Sequence, residues 1–327
     1  MIDRAIVGQP HIQRNTSNLS TQTKLRWAFG AMVILDLAAT WAISNPGLNI
    51  LIFCGSTLAL AVPAAVMAVR NARSFGTGNP SRRAWLMIAP LGLVDCALFL
   101  SYLFGAVALG AQGDSAPVSA VERAGSIILG ASAVSLVSRI MLAYVLWMAI
   151  SIYRQSGLEL KLQTRDYFSL IVLLGLLALS VMWSAGAMRL QLGALVTRAP
   201  GLLREFDYVE YPRLLVLAVC SVLGVVVWRY ANQMGGGLVS KAWRSILLFA
   251  AVYLLRFVFT GSIAQLMANG AIGAASTTAW RLVALGSWML IVSEYMLFLG
   301  VSYQYEACTS DVDIRADELE AFAERGA

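Results

Sequence analysis

Apolar residues along this 327-residue chain fall in long runs separated by short polar joints. Windows able to span a bilayer, about 17 to 25 residues each, run through 27–44, 48–69, 84–110, 125–152, 168–192, 212–230, 242–267 and 281–304. The pattern predicts an all-α, polytopic membrane helix bundle of about eight transmembrane helices. It divides the chain into a polar N-terminal segment (1–25), a transmembrane helical domain (26–305) and an acidic tail (306–327). In the tail, Leu319, Phe322 and Ala323 at helical spacing predict a short amphipathic helix. The stretch TRAPGLLREFDYVEYPR, 197–213, mixes charges with Leu, Phe and Tyr and is expected to be a connector or a lid in the interface plane. Pro63 and Pro90 are expected to kink their helices, and MGGGL, 234–238, to turn the chain.

Composition agrees with the pattern. Hydrophobic residues make up 59% of the chain and charged residues 13%, against about 25% charged in soluble domains. Lys and Arg are placed unevenly, and the positive-inside bias turns that into an orientation. Arg4, Arg14, Lys24, Arg26, Arg70, Arg73, Arg82, Arg83, Arg154, Lys161, Arg165, Arg229, Lys241, Arg244, Arg315 and Arg325 fall on one side, 16 of the 24. Arg123, Arg189, Arg198, Arg204, Arg213 and Arg281 fall on the other. Both termini, the tail included, are therefore expected to be cytoplasmic. The net charge of +6 is a topology signal and calls for no nucleic-acid partner. The polar start lacks the apolar core and cleavage site of a secretory leader, so the first window is expected to be an inserted helix. Asn15 and Asn18 open sequons that a cytoplasmic segment leaves unmodified. The four cysteines give no disulfide framework.

Candidate chemistry comes from charges inside the apolar windows. Asp36, Asp95, Arg139, Arg256 and Glu294 all lie about 9 to 15 residues deep, near the midplane at about 1.5 Å per residue. Each costs on the order of 2.5–3.5 kcal/mol on an isolated helix, so each must face a partner or a polar cavity. Three carboxyls meet two guanidiniums. A carboxyl left without a counter-charge in an apolar interior holds its proton and can donate it. Asp36, Asp95 and Glu294 are thus the candidate catalytic acids. Arg139, Arg256, Tyr102, Tyr144, Tyr253, Trp41 and Trp288 are the candidate pocket residues, with Ser132 and Ser135 on the face of Arg139. Interhelical pairing alone, Asp36 or Asp95 with Arg139 and Glu294 with Arg256, accounts for the same charges.

Several functions are excluded by composition. The single histidine, His11, lies in the polar start, which leaves no intramembrane set for haem or zinc. No lysine lies mid-window for a retinal Schiff base, and there is no aspartate-rich diphosphate motif, G-x-S-x-G elbow or P-loop. No metal site or cofactor is expected.

The acids within MVILDLAATW, GLVDCALFLSY and IVSEYMLF, on a compact helical chain without a diphosphate motif, resemble the fungal integral membrane terpene cyclases of meroterpenoid biosynthesis. The better-known members have seven helices where eight windows are counted here. The resemblance implies metal-independent, proton-initiated cyclisation of a prenyl or epoxyprenyl chain on a lipophilic head, with one acid donating and another accepting the proton. The partners expected are a lipophilic small-molecule substrate and membrane lipid. Localisation follows as an integral membrane protein, of the endoplasmic reticulum if fungal and of the inner or plasma membrane if bacterial. Two further classes stay open: a proton- or ion-coupled transporter or channel using the same carboxylates, and a membrane sensor or receptor.

Overall fold

The computed structural model describes residues 21–43, 46–110, 118–155, 159–160, 163–175, 178, 200–233, 237–268, 270–271 and 277–325. These residues form eight helices and no strand: α1 (Thr21–Ala42), α2 (Pro46–Arg73), α3 (Pro80–Gly110), α4 (Val118–Gln155), α5 (164–175), α6 (Pro200–Gln233), α7 (Leu238–Ala268) and α8 (Thr277–Arg325). Every apolar window meets one of them, although most of the fifth, 168–192, lies outside the described residues.

Local signals set the helix starts. Proline opens α2, α3 and α6, at the one helical position where its missing N–H costs nothing. Asn79 caps α3 by accepting the Ser81 N–H at 2.8 Å. Asp166 reaches back to the Gln163 N–H at 2.7 Å and fastens the start of α5. Gly270, at φ 72°, takes a left-handed conformation just past α7 that a side chain would resist.

Two expectations change. Residues 200–213, expected as a connector or lid, form the start of α6; residues 197–199 lie outside the described residues. Pro200 suits the first helical position, and the helix continues through Pro212. The tail is not a separate short helix, because α8 runs unbroken for 49 residues, about 74 Å. Between Val301 and Arg325 there is no glycine or proline to stop it. The 305/306 division therefore falls inside a helix. Pro63 and Pro90 lie within continuous α2 and α3. The glycine turn separates α6 from α7, with 234–236 outside the described residues.

Helices α2, α3, α4, α6, α7 and α8 pack in a closed circuit, with α1 against α2 and α8. Leu60, Ile88, Leu91, Leu142, Leu146, Ile246, Phe249 and Phe298 fill the middle. Towards one end, Tyr153 stacks on Tyr230 at 5.2 Å and Trp243 meets Trp85 at 5.9 Å, tying α3, α4, α6 and α7. The outside is apolar. On α1 the buried residues are Arg26, Val33, Asp36 and Thr40, while Trp27, Ile34 and Leu35 are exposed. Polar residues inside and a greasy exterior suit lipid as the solvent. Among the described residues, six helices contain stretches long and apolar enough to cross a membrane, from Thr21–Ala42 in α1 to Ala284–Thr309 in α8.

Candidate functional site

Of the midplane charges, Asp36, Arg139 and Glu294 are buried and Arg256 is half-buried. Asp36, 6% exposed, projects from α1 towards Ser56 of α2. Its Oδ2 has no hydrogen-bond partner. Glu294, 0% exposed, projects from α8 into the joint with α2 and α3. A Cβ on Gly92 would fall 2.5 Å from Glu294 Oε2 and 3.3 Å from both Ala61 Cβ and Leu297 Cδ2. The absence of a side chain at Gly92 is what makes room for the carboxyl. Asp95 lies on α3 with its side chain outside the described residues, as do those of Tyr102, Ser132 and Ser135.

The two arginines converge on one ring. Arg139 of α4, 1% exposed, sets its guanidinium 3.4 Å from the ring centroid of Tyr253 on α7. Arg256, one turn along α7, lies 5.9 Å from the same centroid and donates from Nε to the Gly286 carbonyl of α8 at 3.1 Å. Stacking on a π-face and bonding to a carbonyl both offset the cost of burying a guanidinium.

The remaining pocket candidates are placed elsewhere. Trp288 donates from Nε1 to the Val33 carbonyl at 2.8 Å and ties α8 to α1. Trp41 is 52% exposed, with the Arg281 guanidinium 5.2 Å from its ring. Tyr144 is half-buried on α4 and does not reach the cavity described next.

A cavity of about 480 Å³ lies between α4, α5, α6 and α7, within the range of small-molecule sites. Of the charged and aromatic residues singled out above, Arg139 and Tyr253 are on its wall. Leu217, Cys220, Ser221, Gly224, Val225, Trp228 and Asn232 line it from α6 at three- and four-residue spacing. Leu142, Leu173, Leu247 and Leu254 make its apolar sides. Arg165 and Asp166 at the start of α5 and Asn232 near the end of α6 form a polar rim. Asp166 is also within 3.7 Å of Arg229 Nε. From Asn232 down to Cys220 the wall descends about 18 Å along α6. Trp228, 39% exposed, and Leu248, 40% exposed, are among its outward-facing wall residues.

Sequence reasoning missed the α6 wall because Cys220, Ser221 and Gly224 carry no charge. Their common helical face is the available signal. Asp166 was overlooked because it lies near a helix start, where a carboxylate is unremarkable by depth. Among the described residues no three His, Cys, Asp or Glu side chains gather to hold a metal ion.

The Gly92 joint can be tested by a double-mutant cycle. Gly92→Ala is expected to cost about 1–2 kcal/mol in the wild-type background, as small-to-large changes in a packed core do. In an E294A background it is expected to cost less, since the carboxyl contact is gone and only the 3.3 Å contacts with Ala61 and Leu297 remain. Equal costs in both backgrounds, read by chemical unfolding in detergent, would show that the two residues do not meet.

No protein-family model, curated protein or solved structure matches the chain.

Proposed function

We propose that this is an integral membrane protein of eight spanning helices that captures a lipophilic small molecule in the α4–α7 cavity. The observation that carries the proposal is the cavity itself. Its walls are apolar, its deep end holds a buried guanidinium stacked on Tyr253, and its rim is polar. Such a site excludes water along its length and orients a ligand through one polar group.

We place both termini in the cytoplasm. Supporting this, Arg26 of α1 and Lys241 of α7 lie 4.0 and 5.9 Å from the Tyr303 ring of α8 at one end of the bundle. At the other end Arg281 meets Trp41. The basic-rich end then also carries the cavity rim at Arg165.

The cyclisation chemistry implied by the sequence resemblance asks for more, namely an acid against the ligand's alkene or epoxide. Among the described residues the carboxyl on this wall is Asp166, which is engaged by Arg229 and by the Gln163 N–H. Asp36 and Glu294 occupy other interfaces. The geometry supports capture of a lipophile more directly than its cyclisation.

Filling the cavity tests the proposal. A Cβ on Gly224 would make an ordinary 3.6 Å contact with Leu247 Cδ2, so a side chain is tolerated there. An indole at that position would occupy the cavity. Native mass spectrometry of protein taken from its own membranes is expected to show a bound lipophile in the wild type and its loss in G224W, with elution unchanged. A wild type that carries no adduct, or a G224W protein that keeps it, overturns the reading.

A further inference from the structure

We infer that the ligand of this cavity is a membrane phospholipid, its phosphodiester head held at the rim by Arg165 and Asn232 and one acyl chain lying down the apolar shaft. The inference rests on the reading of the cavity as a ligand site and adds the chemistry and the direction of what enters it.

Donors at the rim are the first argument. Arg165 stands at the start of α5 and Asn232 near the end of α6, and both line the cavity. Arg165 is exposed and Asn232 half-buried, and neither side chain bonds or pairs with another described residue. Their neighbour Asp166 is different, since it accepts from the Gln163 N–H at 2.7 Å and lies 3.7 Å from Arg229 Nε. A guanidinium and a carboxamide from two helices therefore meet the cavity mouth with their N–H groups unused. Together they select a negatively charged group with several acceptor oxygens, which a phosphodiester is.

Height in the bilayer is the second. The spanning stretch of α6, Leu215–Gln233, ends one residue past Asn232, so the rim lies where hydrocarbon gives way to headgroups. A phosphate of the surrounding leaflet reaches these donors without leaving the membrane. From Asn232 to Cys220 the wall descends about 18 Å, close to the hydrocarbon depth of one leaflet, about 15 Å.

The shaft below the rim is the third. Leu142, Leu173, Leu217, Leu247 and Leu254 line it. Ser221 Oγ is turned to the Leu217 carbonyl at 2.9 Å, and Arg139 is almost wholly buried, so the surface offered to a ligand is mainly carbon. A soluble phosphate compound meets the same donors but gains nothing from that surface, whereas an acyl chain does. Trp228 and Leu248 belong to the wall and also face outward, which sets one side of the shaft against lipid. One chain enters there while its sister chain stays in the bilayer.

The test uses the full chain in phosphatidylcholine nanodiscs with two photoreactive probes. One is a phosphatidylglycerol with a diazirine at the end of one acyl chain, and the other is the diacylglycerol with the same chains. The phospholipid is expected to crosslink within 217–221 and 250–254 and to exceed the diacylglycerol by about tenfold, as a charge-assisted hydrogen bond implies. Moving the diazirine next to the head is expected to move the crosslinks to 228–232. R165Q and N232A are each expected to reduce the phospholipid's advantage, and the double variant to erase it; inorganic phosphate is expected not to compete. Equal crosslinking by the two probes overturns the phosphate head while leaving the cavity as a ligand site. Absence of crosslinking by either probe at these segments overturns both. Competition by inorganic phosphate assigns the rim to a soluble phosphate and overturns the lipid, and the reverse order of crosslinks along α6 overturns the direction. An undiminished advantage in the double variant overturns the rim as the docking point. Should that variant fail to fold, the probe ratio and the crosslink order on the wild type decide.

Discussion

Arg26→Met is expected to destabilise the bundle by about 3 kcal/mol, the low end of the cost of breaking a buried ion pair. Arg26 is the main polar pin between α1 and α8. Its Nε donates to Ser302 Oγ at 2.8 Å, and its Nη2 reaches the Ser302 carbonyl at 3.0 Å and Glu306 Oε2 at 2.7 Å. The guanidinium also sits 4.0 Å from the Tyr303 ring, and the Arg26 carbonyl accepts from Tyr295 Oη at 2.9 Å. Methionine keeps the apolar stem and this last bond but removes every side-chain donor. Glu306 retains 29% side-chain exposure, so it recovers some water when its partner goes, and this places the cost low in the range. E306Q is expected to cost less, because the amide can still accept from Arg26. Unfolding titrations of both variants in detergent check the ranking. An R26M protein within about 0.5 kcal/mol of wild type would mean that apolar packing alone holds α1 in place.

That Asp36, Arg139 and Glu294 lie inside the bundle was legible in the sequence, and which neighbours they meet was not. Counting inward from the window ends placed Asp36, Arg139 and Glu294 at the midplane, and all three are buried. The bilayer makes such counting reliable, because about 1.5 Å of rise per residue against a fixed thickness leaves little freedom. Which neighbour each charge meets depends on helix order and rotation, which no window count contains. Asp36 turns towards Ser56 of α2 and Glu294 towards Gly92 of α3, while Arg139 and Arg256 share Tyr253. Trp41 shows the same limit: it is only a few residues from Asp36, yet it faces outward. The start of α6 was expected as a connector or lid because it mixes charges with Leu, Phe and Tyr, whereas Pro200 opens a helix there and Pro212 is carried within it. The cavity needs four helices to exist, so only the small-residue face of α6 could have announced it.

Gly300→Val is expected to cost about 3 kcal/mol or more, at or beyond the upper end of ordinary overpacking. A Cβ at Gly300 would fall 2.7 Å from Ile246 Cγ1, 2.9 Å from the Ala242 carbonyl oxygen and 3.3 Å from the Ile246 backbone nitrogen. Two of these three atoms belong to the backbone of α7, so a rotamer change cannot relieve the clash. The helices themselves must separate. Small residues at such crossings let membrane helices approach closely, with packing rather than water expulsion as the driving force. Separation would also reach further than one contact, because α8 packs against α1 and α2 as well as α7. Alanine at the same position is expected to cost about half as much. The double variant I246A/G300A should recover part of that loss, since it removes the Cγ1 contact and leaves the carbonyl contact. Size-exclusion profiles and unfolding titrations distinguish these cases. Wild-type stability in G300V would mean that α7 and α8 do not come together at this glycine.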